Sequence, residues 1–119
     1  MTSSEGARPL PRVAVLGAGT MGRGMTHSLL RNGFMVDVWD RTSERAAELA
    51  GDGAVAHEDA PDAVREADVV ITMVADAGAV NQVAFDFGML EAMRPQAAWA
   101  QMSTIGVTAA EELAARVSK

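Results

Sequence analysis

The chain contains no cysteine, which removes disulfides, thiolate nucleophiles and cysteine-ligated zinc from consideration. Histidine is scarce: His27 and His57 are too few for most histidine-built metal sites. Positive charge is in deficit, with a formal net charge of −6. A nucleic-acid partner would need clustered basic residues, so that class is excluded as a main function. The ten basic residues are nine arginines and one lysine, Lys119. No apolar run approaches the roughly 18 residues of a membrane span, so no membrane role is expected. Residues Met1 to Arg8 are small and polar, and Pro9 and Pro11 follow. Without the apolar core of a secretory signal they read as a disordered tail, 1–11, on a cytoplasmic protein.

What remains is ordinary globular material. The 119 residues, 49% hydrophobic and 22% charged, suit one domain. Such a domain buries roughly two thirds of the surface that its unfolded chain exposes.

From Arg12 onward, short apolar runs alternate with helix-like segments. Val13-Ala14-Val15-Leu16 stops at Gly17, as a buried parallel strand would. Thr20 to Arg31 reads as a helix closed by Asn32-Gly33, where glycine can take the left-handed conformation. Phe34 to Trp39 is a second strand. Thr42 or Ser43 can cap a helix through Ala46, Ala47 and Leu49, which Gly51 to Gly53 ends. Ala54-Val55-Ala56 is a short third strand. Asp59-Ala60-Pro61 starts a helix ending near Ala67, and Asp68 to Met73 is a β-branched fourth strand. Ala77 to Met93 is a helix interrupted around Phe87-Gly88 and closed before Pro95. Ala97 to Met102 is a fifth strand, and Val107 to Val117 a last amphipathic helix. Parallel neighbours need crossovers, and the helices supply them. The pattern predicts an α/β fold: a single domain over 12–119 with a Rossmann-type, doubly wound parallel sheet.

Gly17-Ala18-Gly19-Thr20-Met21-Gly22 fits G-x-G-x-x-G, follows an apolar strand and opens a helix. Gly17 permits the tight turn, Gly19 lets a pyrophosphate approach the backbone, and Gly22 lets helix and strand pack closely. The helix start, with free N–H groups and a positive dipole end, would hold the diphosphate. The same turn occurs without a ligand as a plain strand-to-helix connection. In such sites the tip of the second strand reads the adenosine ribose, here Asp40-Arg41-Thr42. Asp40 could accept from both ribose hydroxyls, which favours NAD. Arg41 could pair with a 2′-phosphate and Thr42 donate to it, which favours NADP. Asp37, nearer the usual spacing, lies inside the strand and is less well placed.

The segments Gly17 to Gly22, Gly33-Phe34-Met35-Val36 and Val38-Trp39-Asp40-Arg41-Thr42 resemble the β-hydroxyacid dehydrogenase family. That family contains 3-hydroxyisobutyrate dehydrogenase and the cofactor domain of 6-phosphogluconate dehydrogenase. The likeness continues through Ala67 to Val74 and ends in Met102-Ser103-Thr104-Ile105-Gly106. It implies that Val74 and Ala75 pass under the cofactor, Asp76 following. It also implies that Ser103 and Thr104 meet substrate and nicotinamide, near Gly106. Read from the residues alone, Ser103 and Thr104 would cap the last helix. Family members often carry Leu-Pro where Ala75 stands, and a proline where Val107 stands.

The resemblance implies hydride transfer between NADP (or NAD) and a small β-hydroxy acid or its semialdehyde. The family's proton-transfer lysine lies in a later helical domain, and the one lysine here is terminal. Hence the chain is read as a cofactor domain that is not competent alone, meeting a small-molecule substrate only with that further domain. Apolar surface left where those helices would dock predicts self-association as a homo-oligomer. The sister imine reductases share much of the pattern. A non-catalytic dinucleotide-binding module is the alternative from another class, and an adenosyl-dependent methyltransferase fits less well. The remaining conspicuous residues get bland readings: His27 as filler, His57 at a loop or helix start, Trp39, Trp99, Met21 and Met25 as packing. Glu44, Glu48, Glu58, Asp62 and Glu66 read as solvated faces.

Overall fold

The computed structural model describes residues 10–74 and 77–102. Ala75, Asp76, Ser103, Thr104, Gly106 and the expected last helix lie outside the described residues, as do residues 1–9. The element order is β1 (Val13–Leu16), α1 (Thr20–Arg31), β2 (Val36–Trp39), α2 (Ser43–Ala50), β3 (Val55–Ala56), α3 (Ala60–Val64) and β4 (Val69–Thr72). Then come α4 (Ala77–Asn81), a π-helical turn (Gln82–Asp86), α5 (Met89–Ala92) and β5 (Ala98–Gln101).

All five strands are parallel, in the order β3-β2-β1-β4-β5. The doubly wound α/β expectation therefore holds. Register aligns the strand ends: Leu16 lies beside Trp39 on one side and Thr72 on the other. Chain order reverses at β1, so the crossovers leave on opposite faces and a crevice opens beyond the strand ends.

Side chains alternate between the faces, which sorts each strand into two cores. Ala14, Leu16, Trp39 and Val70 pack under Ala60, Ala63, Val64, Val83 and Met89. On the other face Val13, Val15 and Val36 meet Leu29 and Leu30, while Val38 meets Ala46 and Leu49. The central strand β1 is wholly buried, hence its unbroken apolar run.

Several boundaries differ from expectation. β2 begins at Val36 because Phe34 is consumed by the end of α1: its N–H donates to Leu29 O and that of Gly33 to Leu30 O. With Gly33 at φ +87° this is a Schellman closure. Thr42 and Asp59 stand at helix N-caps, yet neither side chain makes a capping hydrogen bond. The expected long helix after β4 is divided, and the break falls at Phe87-Gly88, where Gly88 adopts φ +81°. Among the described residues no helix is long and apolar enough to cross a membrane. No group of three or more metal-binding side chains is found among them.

Candidate functional site

A groove of about 490 Å³ lies beyond the C-terminal ends of the central strands. Its floor is the turn from β1 into α1. Gly17 adopts φ +121°, and a Cβ there would collide with the Met73 carbonyl. A Cβ on Gly22 would collide with the Gly17 carbonyl oxygen. The fold itself thus demands glycine at both ends of the motif. Gly19 is different. Its backbone is extended, at φ −74° and ψ −169°, and nothing lies within 4 Å of where a Cβ would project.

Gly19 is also the N-cap of the 12-residue helix α1, with no side-chain cap and no acidic residue in the first turn. The helix therefore presents donors and a positive dipole end to the groove, which no acidic side chain of its own first turn offsets. Gly19, Thr20, Met21 and Gly22 form this wall. Gly17 and Ala18 are buried beneath it and shape it without lining it. Met21, expected to pack in the core, is instead 70% exposed. Its position one residue into the helix points it away from the sheet, where Gly22 and Thr26 are buried.

The β2 end of the groove carries Trp39, Asp40, Arg41, Thr42 and Arg45. Asp40 is heavily used: Oδ1 accepts the Ala18 N–H at 2.6 Å and Oδ2 accepts the Thr42 N–H at 2.8 Å. The carboxylate thus ties the glycine turn to the strand tip. Gly17 N–H donates to Trp39 O at 2.7 Å alongside it. Arg41 reaches across the groove and its Nη2 donates to Gln82 Oε1. Arg45 sits in the first turn of α2, where a cation opposes the helix dipole. Among the described residues no hydrogen bond or ion pair holds its side chain. Sequence reasoning missed both Arg45 and Gln82. The signal for Arg45 was a basic side chain at a helix start; nothing local marks Gln82.

The opposite end is apolar, with Met73, Val74 and Met102 beside Ala79 and Val83. Of the predicted site residues, Gly19, Thr20, Met21, Gly22, Asp40, Arg41, Thr42 and Val74 meet in this one groove. A helix start, two guanidiniums and a hydroxyl at one end, with thioethers at the other, suit a long anion that has a flat apolar head.

A second polar cluster lies at the other end of β2. Asp37, 2% exposed, accepts from Arg12 Nε at 2.6 Å and Nη2 at 3.0 Å, and His57 Nε2 stands 2.8 Å away. The hydrogen bond to Asp37 raises the Arg12 pKa further above its usual range. His57 therefore has a carboxylate partner that its sequence neighbours did not reveal. The Asp37 position in the strand register, beside Ala14 rather than Leu16, keeps the cluster away from the groove. His27 pairs with Asp52 at 2.8 Å on the exposed side of α1.

Residues 12–119 match the family model described as the NAD binding domain of 6-phosphogluconate dehydrogenase. An uncharacterised oxidoreductase of Bacillus subtilis is 37% identical over 105 residues, which is 87% of this chain and 37% of that protein. Mycobacterium tuberculosis 3-hydroxyisobutyrate dehydrogenase, solved with L-serine, superposes with a TM-score of 0.86 at 36% identity. That match covers 92% of this chain and 37% of the other. An imine reductase from Myxococcus stipitatus, in complex with NADP+, gives a TM-score of 0.83 at 26% identity, over 91% of this chain and 37% of the other. The chain thus spans little more than a third of the length of these relatives.

Proposed function

The chain belongs to the family of 6-phosphogluconate dehydrogenase NAD-binding domains, and on that premise we propose that its groove takes NADP(H) in preference to NAD(H). Its fold and relatives make it a nucleotide-binding domain of hydroxyacid dehydrogenase-type oxidoreductases. Within that frame we assign each part of the groove a part of the cofactor. The open face of Gly19 and the uncapped start of α1 receive the diphosphate. The strand tip receives the adenosine ribose, and Met73, Val74 and Met102 flank the nicotinamide.

The choice of NADP rests on the β2 end. Both Asp40 oxygens already accept backbone N–H groups, so the carboxylate is held to the glycine turn and keeps only its remaining lone pairs for a 2′,3′-diol. Arg41, Thr42 and Arg45 surround the same place with two positive charges and a hydroxyl. Unpaired guanidinium at a helix start costs stability unless an anion joins it, and a ribose 2′-phosphate is that anion.

A nicotinamide held in this groove would supply or accept a hydride. This chain's described residues bind and orient the dinucleotide; none in the groove is placed to move a proton to a carbonyl. We assign the whole protein's reaction to hydride exchange with a small β-hydroxy acid or its semialdehyde. Ser103, Thr104 and Gly106 would contact that substrate, with Thr104 and Ala75 also touching the cofactor. The proton-transfer group would come from a further domain.

Fluorescence titration with NADPH and NADH tests the cofactor choice. The expected result is tighter NADPH binding, with Arg41→Ala and Arg45→Ala each weakening NADPH about tenfold or more while sparing NADH. A charge-assisted phosphate contact of roughly 1.5–3 kcal/mol sets that scale. Equal affinities that neither variant alters would refute it.

A further inference from the structure

We infer that Gln82 determines cofactor specificity by holding the Arg41 guanidinium across the groove without discharging it. This rests on the reading above, in which Arg41 meets the 2′-phosphate. Arg41 stands exposed on the loop after β2, with a long side chain that nothing on its own element restrains. Its one described partner comes from the opposite wall: Gln82 Oε1 accepts from Nη2. Gln82 is half-buried and opens the π-helical turn, next to the fully buried Val83. That turn widens the backbone by one residue, Phe87 N–H donating to Gln82 O, and such turns recur at functional sites.

The chemistry of the acceptor is what matters. An amide oxygen is neutral, so Arg41 keeps its whole charge, and only one of five N–H donors is used. Four remain for a phosphate. A carboxylate in the same place would pair with the guanidinium and set a negative charge against the incoming anion. The wall from Gly78 to Phe85 contains no ionisable residue, and Asp86, beyond it, is exposed. Asp40, adjacent in sequence, directs its hydrogen bonds to the backbone N–H groups of Ala18 and Thr42 and forms no ion pair with Arg41 among the described residues. Arg41 is thus positioned from a surface kept free of charge.

The test compares NADPH and NADH affinities of the 119-residue protein with those of Gln82→Glu, Gln82→Ala and Arg41→Ala, melting of each variant being followed by circular dichroism. Gln82→Glu keeps the reach and adds a charge. It is expected to lower the NADPH to NADH affinity ratio tenfold or more, with NADH itself changed less than threefold. Gln82→Ala, which frees Arg41, lowers the ratio about threefold. A wild-type ratio in both Gln82 variants, with a collapsed ratio in Arg41→Ala, overturns the role of Gln82 and leaves the phosphate reading standing. An unchanged ratio in Arg41→Ala overturns that reading and this inference together.

Discussion

The three glycines of the turn serve different masters, and single methyl groups separate them. At Gly17 a side chain would meet backbone that cannot retreat, in a left-handed conformation that L-residues avoid. Gly17→Ala is expected to cost about 3 kcal/mol or more, from strain and overpacking together, read as a lower urea midpoint. At Gly19 the protein has no such objection. Gly19→Ala should change stability by less than about 1 kcal/mol yet weaken dinucleotide binding at least tenfold, because the methyl group stands where the diphosphate would approach. Calorimetric titration alongside melting separates the two effects. Destabilisation at Gly19, or intact binding there, would refute this division. The motif already separates these tasks, and the positions of the Met73 and Gly17 carbonyls supply the steric reason for them.

Elements show the same interplay of local rule and context. Helix α1 carries Gly24 on its exposed side, with an ordinary helical backbone and open space where a Cβ would project. Gly24→Ala is expected to stabilise the fold by about 0.5–1 kcal/mol through reduced unfolded-chain entropy, seen as a higher melting temperature without altered cofactor affinity. The closure of α1 was legible from Asn32-Gly33, because positive φ at a helix end is a local steric matter. Phe34 falls outside β2, against its apolar character, because a Schellman closure draws in the residue after the glycine. The division of the helix after β4 was legible in part: Gly88 marks the break, but no residue type announces a π-helical turn. Asp59 and Thr42 stand where caps stand without capping, so residue type located the helix starts but not how their N–H groups are met.

For the whole molecule, ligand binding and folding are linked. If the groove holds a dinucleotide in the native state alone, NADPH at one hundred times its Kd should add about 2.7 kcal/mol of stability, visible as a concentration-dependent melting temperature. Failure of NADPH to shift the melt would contradict the assignment. The Arg12–Asp37–His57 cluster gives a contrasting expectation. Asp37→Ala removes the shared acceptor and should cost roughly 2 kcal/mol, while leaving cofactor affinity within threefold, because the cluster lies at the far end of β2. The sequence by itself determined the parallel sheet, the glycine turn after β1, and the loops that flank the crevice. Those follow from apolar periodicity and glycine placement, which act over a few residues. Tertiary structure alone decided that Asp37 joins Arg12 and His57, that Asp40 fastens the glycine turn, and that Gln82 meets Arg41. Each of those contacts joins residues 20 or more positions apart, and side-chain chemistry at that separation is set by where the sheet brings strand ends and helices together.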